Sequence, residues 1–343
     1  MKKLTLIIAL IFTLLLSGCS CGGKTELKFE SKWGGNVVGY TEQLTYEVTY
    51  AGDYTFGGVD FTKTNTLPTL NITAIGSYVI KNEVLSLSSN ALPEEVKTSS
   101  LVLSMPYVIK STSLLTLVIN YTLEGTEYSS VDMLSTETYF CPPEGSLSPV
   151  LTKESYAYSL PKISDTFVLD RVVGQNQVTY GQEKYKTVQI VMDESTGEEK
   201  GRTEKSFSFE PKTVIDNSSF LFSMRNLDYK TIAEYVIPVV HPTYGKSQDL
   251  RVSKFENSDI KLDLNVNGET LNQLTIPTNA IKYAIASEDK AGANQLLFIQ
   301  NGAVNGLSDK AIIVKYVSPF SDYDGFRKLG ALIYTLESVT YFA

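Results

Sequence analysis

From residue 40 onward the apolar side chains recur at every second position, and that period constrains the chain more than any other feature. In Gln43–Tyr50, Leu44, Tyr46, Val48 and Tyr50 share one face, while Thr45, Glu47 and Thr49 take the other. The runs Tyr78–Leu87, Leu114–Leu123, Thr187–Met192, Ser206–Phe209, Ile281–Ala286, Gln295–Ile299, Ile312–Val317 and Ala331–Tyr341 have the same β-rich character. Tyr (21) and Phe (15), with Val, Ile and Thr, fill these runs, and they are the residues that fit a pleated, half-buried surface. Turn signals separate them at Glu194–Gly197, Asn267-Gly268, Asn301-Gly302 and Asp324-Gly325. A dry face backed by a wet one is the mark of antiparallel sheet.

One segment reads as a helix. Asp216-Asn217-Ser218-Ser219 supplies N-cap side chains, and Phe220, Leu221, Met224, Arg225 and Leu227 follow with an apolar stripe at i, i+3 and i, i+4 spacing. With 43% of 343 residues hydrophobic, the chain can bury a large core, which excludes wholesale disorder. The fold expected is mainly β: a large antiparallel curved sheet or half-barrel with one short helix packed on it, spanning 40–343 as one domain.

The first residues obey a different logic. Lys2 and Lys3 precede an uncharged, almost wholly apolar run from Leu4 to Leu16, which ends in small residues. That is the form of an export signal, and the run is shorter than the ~20 residues that span a bilayer as a helix. Leu16-Ser17-Gly18-Cys19 resembles the lipobox of bacterial lipoproteins. The resemblance implies a signal peptide over 1–18, cleavage between Gly18 and Cys19, and a diacylglycerol thioether, typically carrying palmitate, on Cys19. Residues 19–39 then form anchor and tether, and the body lies on the outer face of the cell membrane. Two or three acyl chains, at ~0.8 kcal/mol per buried methylene, hold a protein there stably. Of the remaining cysteines, Cys21 and Cys141 form a disulfide or, the blander alternative, stay as two free thiols.

Catalytic and metal-binding patterns are sparse. His241 is the sole histidine, and no Gly-x-Ser-x-Gly elbow accompanies it. Ser159–Lys162 and Ser287–Lys290 match Ser-x-x-Lys in letters only, since a proline interrupts the first and a charged loop holds the second. Asp263–Gly268 copies half of a calcium loop, yet Leu274 stands where the bidentate glutamate belongs, so Asn267-Gly268 reads as a hairpin turn between Ile260–Val266 and Glu269–Ile276. Gly245-Lys246-Ser247 lacks the earlier glycine of a phosphate loop, because Val240 occupies that position. Neither cofactor, metal nor enzymatic activity is expected. The net charge of −8, more negative once Lys2 and Lys3 leave with the leader, opposes binding to nucleic acid. Trp33, near the tether, is either an aromatic platform or packing for the first edge of the domain.

Two regions resemble an uncharacterised β-rich family of bacterial envelope proteins related in shape to the Lol lipoprotein carriers. The first is Leu44–Tyr50, with the turn into Gly57-Gly58-Val59; the second is Asp216, Ser219, Phe220, Phe222 and Arg225, with the strand Tyr235–Val239 after it. The resemblance implies a half-barrel wrapped over a helix, and in the carriers that concavity holds acyl chains. It implies no catalytic residue. The function expected is a membrane-anchored, non-enzymatic binding module. Its ligand is apolar or lipid-like and lined by Phe220, Phe222 and Met224, unless those side chains fill the concavity. The alternative is a structural protein that docks another component of the cell envelope.

Overall fold

The computed structural model describes residues 37–51, 55–56, 59–60, 70–141, 147–163, 167–208, 215–227, 234–242, 246–285, 295–304, 306–307, 311–321 and 329–342. Its strands are β1 (Thr41–Ala51), β2 (Thr55–Phe56), β3 (Val59–Asp60), β4 (Leu70–Ser86), β5 (Tyr107–Leu123), β6 (Thr126–Cys141), β7 (Ser148–Ile163) and β8 (Phe167–Tyr180). They continue as β9 (Lys184–Met192), β10 (Glu199–Ser208), β11 (Ile215–Asp216), β12 (Glu234–His241), β13 (Lys246–Val266) and β14 (Glu269–Ile285). The last are β15 (Gln295–Gln300), β16 (Ile313–Ser321) and β17 (Leu329–Phe342). All but the small β2–β3 pair join one 15-stranded sheet, in the order β10-β9-β8-β7-β6-β5-β4-β1-β17-β16-β15-β14-β13-β12-β11. The expected curved antiparallel sheet is therefore the fold, and among its paired strands only β11–β12 and β13–β17 are parallel.

The sheet curls on itself. The β13–β14 hairpin turns at Asn267 (φ 51°) and Gly268 (φ 89°), and positive φ at both positions gives the twist that a two-residue hairpin needs. Its tip reaches β17, where Asn267 N–H donates to Val339 O at 2.9 Å and Tyr341 N–H donates to Asn267 Oδ1 at 2.8 Å. Strands β13 to β17 thus close into a small ring. The other arm, β1 through β10, bends until Val178, Tyr180 and Tyr185 of β8 and β9 pack on Val240 of β12. Among the described residues, side chains rather than backbone ladders close that seam.

Among the described residues two α-helices interrupt the strands. A 3-10 turn (Asn217–Ser219) leads into α2 (Phe220–Arg225), which lies inside the curl. The other, α1 (Glu94–Lys97), was not foreseen from the sequence; it is a single turn between β4 and β5. Val96 of α1, with Leu92 and Val102 beside it, packs on Val108, Tyr139, Cys141, Val150 and Leu151 at one end of the sheet. The main core gathers the inward residues of β1 (Leu44, Tyr46, Val48) with those of β5, β13, β16 and α2.

Candidate functional site

Asp216 sets the geometry of the enclosed segment. Its Oδ1 accepts the Ser218 N–H at 2.9 Å, capping the 3-10 turn and aiming α2 into the barrel. The helix ends after Arg225, where the Asn226 amide turns back to donate to Phe222 O at 2.8 Å. Phe220 packs on Tyr283 with ring centroids 4.5 Å apart, and Phe222 on Phe140 at 5.3 Å. Phe220 and Met224 belong to the main core, while Phe222 belongs to a separate cluster with Val84, Ile109, Phe140 and Leu147. All three residues named as candidate ligand contacts are buried.

The helix is pinned by charge. Arg225 (2% exposed) grips Glu42 of β1 (0% exposed) through two parallel bonds, Nη1 to Oε1 at 2.6 Å and Nη2 to Oε2 at 3.1 Å. Arg225 Nε donates to Ala311 O at 3.2 Å, and Asn82 Nδ2 donates to Glu42 Oε1 at 3.0 Å. The planar guanidinium suits this fork, and the extra hydrogen bonds offset part of the cost of dehydrating both ions. The sequence carried a signal for it: Glu42 shares the dry face of β1 with Leu44, Tyr46 and Val48, where an acid needs a partner.

A second buried network joins α2 to the opposite wall. The Tyr180 hydroxyl donates to Asp216 Oδ2, the Ser218 hydroxyl to Glu154 Oε1, and Asn176 Nδ2 to Glu154 Oε2 at 2.9 Å. Burial pushes the Asp216 carboxyl up to about 6; the nearby Glu154 carboxylate adds to this, against the opposing pull of the Tyr180 hydrogen bond. Burial, together with Asp216, also holds the Tyr180 phenol well above its ordinary range. Each of the four carboxylate oxygens accepts a bond from a protein donor. Such a pair is built to hold α2 against β7 and β8, with none of its oxygens left without a protein donor.

Between these networks runs a stack of tyrosines. Tyr46, Tyr78, Tyr334, Tyr316 and Tyr283 follow one another with centroid separations from 4.9 to 6.5 Å. The hydroxyls of Tyr283 and Tyr316 both reach Gln295, and that of Tyr46 donates to Ile313 O at 2.9 Å. A buried phenol needs a partner, and Gln295, the Ile313 carbonyl and Ser113 supply them for Tyr283, Tyr316, Tyr46 and Tyr78.

The remaining motif residues are scattered. His241 ends β12 opposite Lys246. Ser159 lies within β7 rather than at a helix start, and its hydroxyl accepts from Arg171 at 3.3 Å. Asp263 uses Oδ1 to accept the Gln273 N–H at 2.6 Å, at a bulge in the β13–β14 hairpin. Cys141 is a free, buried thiol that donates to Leu101 O, and burial raises its pKa to about 11. Gly18, Cys19, Cys21, Trp33, Gly245, Ser287, Lys290 and Asp324-Gly325 lie outside the described residues. Among the described residues no group of three His, Cys, Asp or Glu side chains could hold a metal, and no helix is long and apolar enough to cross a membrane.

No protein family profile matches the chain, and no curated protein matches it. A solved structure is similar in fold: a β-barrel-like protein of a domain of unknown function, DUF1849, from Brucella abortus, with TM-score 0.46 and 10% identity. The match covers 90% of this chain and 100% of the other.

Proposed function

We propose that this chain is a lipid-anchored protein on the outer face of the cell membrane, working as a non-enzymatic binding module that docks another envelope component on its outer surface. The observation that carries the reading is that the candidate ligand contacts are themselves packed into the core. Phe220, Phe222 and Met224 occupy the space beneath the sheet, and the buried Arg225–Glu42 pair locks them there. An apolar ligand in that space would have to expel α2 and break a buried ion pair, which costs several kcal/mol. Ile75, Val118, Val131, Leu160 and Val168 are exposed instead, one on each of the five consecutive strands β4 to β8. Exposed aliphatics in series are the usual footing for a protein contact. The anchor is supported by Leu16-Ser17-Gly18-Cys19.

Crosslinking in intact cells, paired with mass spectrometry of lipids extracted from the purified protein, tests this reading. One stoichiometric protein partner and no retained lipid is the expected result. Stoichiometric lipid without a protein partner would replace docking by ligand carriage.

A further inference from the structure

The sheet has a notch. β6 and β7 pair from Cys141↔Ser148 to Met133↔Ala157 and no further, whereas β7 stays with β8 out to Ile163↔Phe167. Beyond Ala157 the β7–β8 hairpin leaves the sheet and bends inward, so that Phe167 packs on Tyr128 at 4.3 Å and on Tyr121 at 5.9 Å. Side chains cover the start of the split: Arg171 Nη1 donates to Val131 O at 2.7 Å, and Ser159 N–H donates to Asp132 Oδ1 at 3.0 Å. The backbone groups that would continue the ladder, on Glu127 and Ser129, have no strand partner on that side among the described residues. Glu127, Ser129 and Val131 are exposed, as are Leu160 and Val168 on the hairpin opposite. A bare backbone edge flanked by aliphatics accepts an extended segment.

The chain carries a segment that fits, outside the described residues. In Thr25–Trp33, the odd positions include Leu27, Phe29 and Trp33, and the even positions read Glu26, Lys28, Glu30 and Lys32. That alternation gives a strand one apolar and one charged face. With the charged face outward, the apolar face falls beside Tyr128 and Phe167, and the lysines match Glu127 with Glu124 beyond it. The same molecule cannot supply this strand. Gly39 and Tyr40 bond to Val84, and Thr41 lies beside Glu83, whereas Val131 is level with Val118, Ile75 and Thr49. The eight residues from Thr41 to Thr49 span about 26 Å, while the four from Trp33 to Val37 reach about 14 Å at most.

We propose that the notch beside Glu127–Val131 receives Glu26–Trp33 of a second copy of this chain as an added strand. The pairing stands whether or not Cys19 carries lipid. Ser129 faces outward with the odd residues of β6, so its cross-strand neighbour comes from the charged face of the incoming strand. Two tagged full-length copies are expressed in one cell, both with Cys21→Ser. One carries Ser129→Cys, and the other Lys28→Cys, Glu30→Cys or Phe29→Cys. A mixed disulfide dimer is expected at position 28 or 30, at least fivefold stronger than at 29 and absent when Ser77→Cys replaces Ser129→Cys. The proposal is overturned by no mixed dimer at either even position, by equal trapping at position 29 or with Ser77→Cys, or by Ser129→Cys capturing a different protein.

Discussion

Arg225→Met is the sharpest probe of how the barrel is held. Methionine matches the apolar stem of arginine but leaves Glu42 fully buried without the guanidinium that neutralises it. Breaking a buried pair from one side costs about 3–5 kcal/mol, because the remaining charge stays dehydrated. Glu42→Gln strands Arg225 instead and should cost a similar amount, though the amide oxygen still serves Asn82. The double variant removes both charges together. It loses the Arg225 contact to Ala311 O, worth about 1–2 kcal/mol, so it should be more stable than either single variant. Urea denaturation followed by far-UV circular dichroism gives all four free energies, and their cycle gives the coupling. Single costs under about 1 kcal/mol, or a double variant whose loss equals the sum of the singles, would refute a locking role for the pair.

Further outcomes follow from the same structure. Asp216 has a folded pKa of about 6 against 3.8 for the free carboxyl, so its protonated form favours folding. Stability should therefore fall by up to about 3 kcal/mol as pH rises from about 4 to about 6, and urea midpoints of Asp216→Asn should lose that slope. A Cβ at Gly76 would collide with the backbone oxygen of Thr116, whereas one at Gly201 meets nothing; Gly76→Ala should cost about 1–3 kcal/mol or more and Gly201→Ala under ~1 kcal/mol by thermal denaturation. The buried, high-pKa Cys141 thiol should resist iodoacetamide at pH 8 in the folded protein and react at once in urea, as intact-mass measurements would show.

The strands that were legible in the sequence are those with a dry apolar face. Gln43–Tyr50 lies inside β1, and the Asn267-Gly268 turn sits where its dipeptide indicated. Strands β6, β7 and β8 gave no such pattern because their inward faces are polar: Ser130, Thr136, Thr138, Thr152, Glu154 and Asn176 are all buried there. Alternation of apolar with polar residues is invisible where the interior itself is a hydrogen-bond network. The helix was legible from Asp216 and its apolar stripe. Its partners were not, since Glu42 lies 183 residues from Arg225 and Glu154 lies 64 from Ser218. The notch at β6 could not be read at all, because the residues of a strand say nothing about which neighbour it abandons.

Mass spectrometry of the N-terminal peptide of the protein extracted from cell membranes tests the central claim most directly. A peptide beginning at Cys19 and carrying diacylglycerol, lost together with membrane retention in Cys19→Ala, is the expected result. A mature chain that begins elsewhere, or an unmodified Cys19 on a protein that still sediments with membranes, would contradict it.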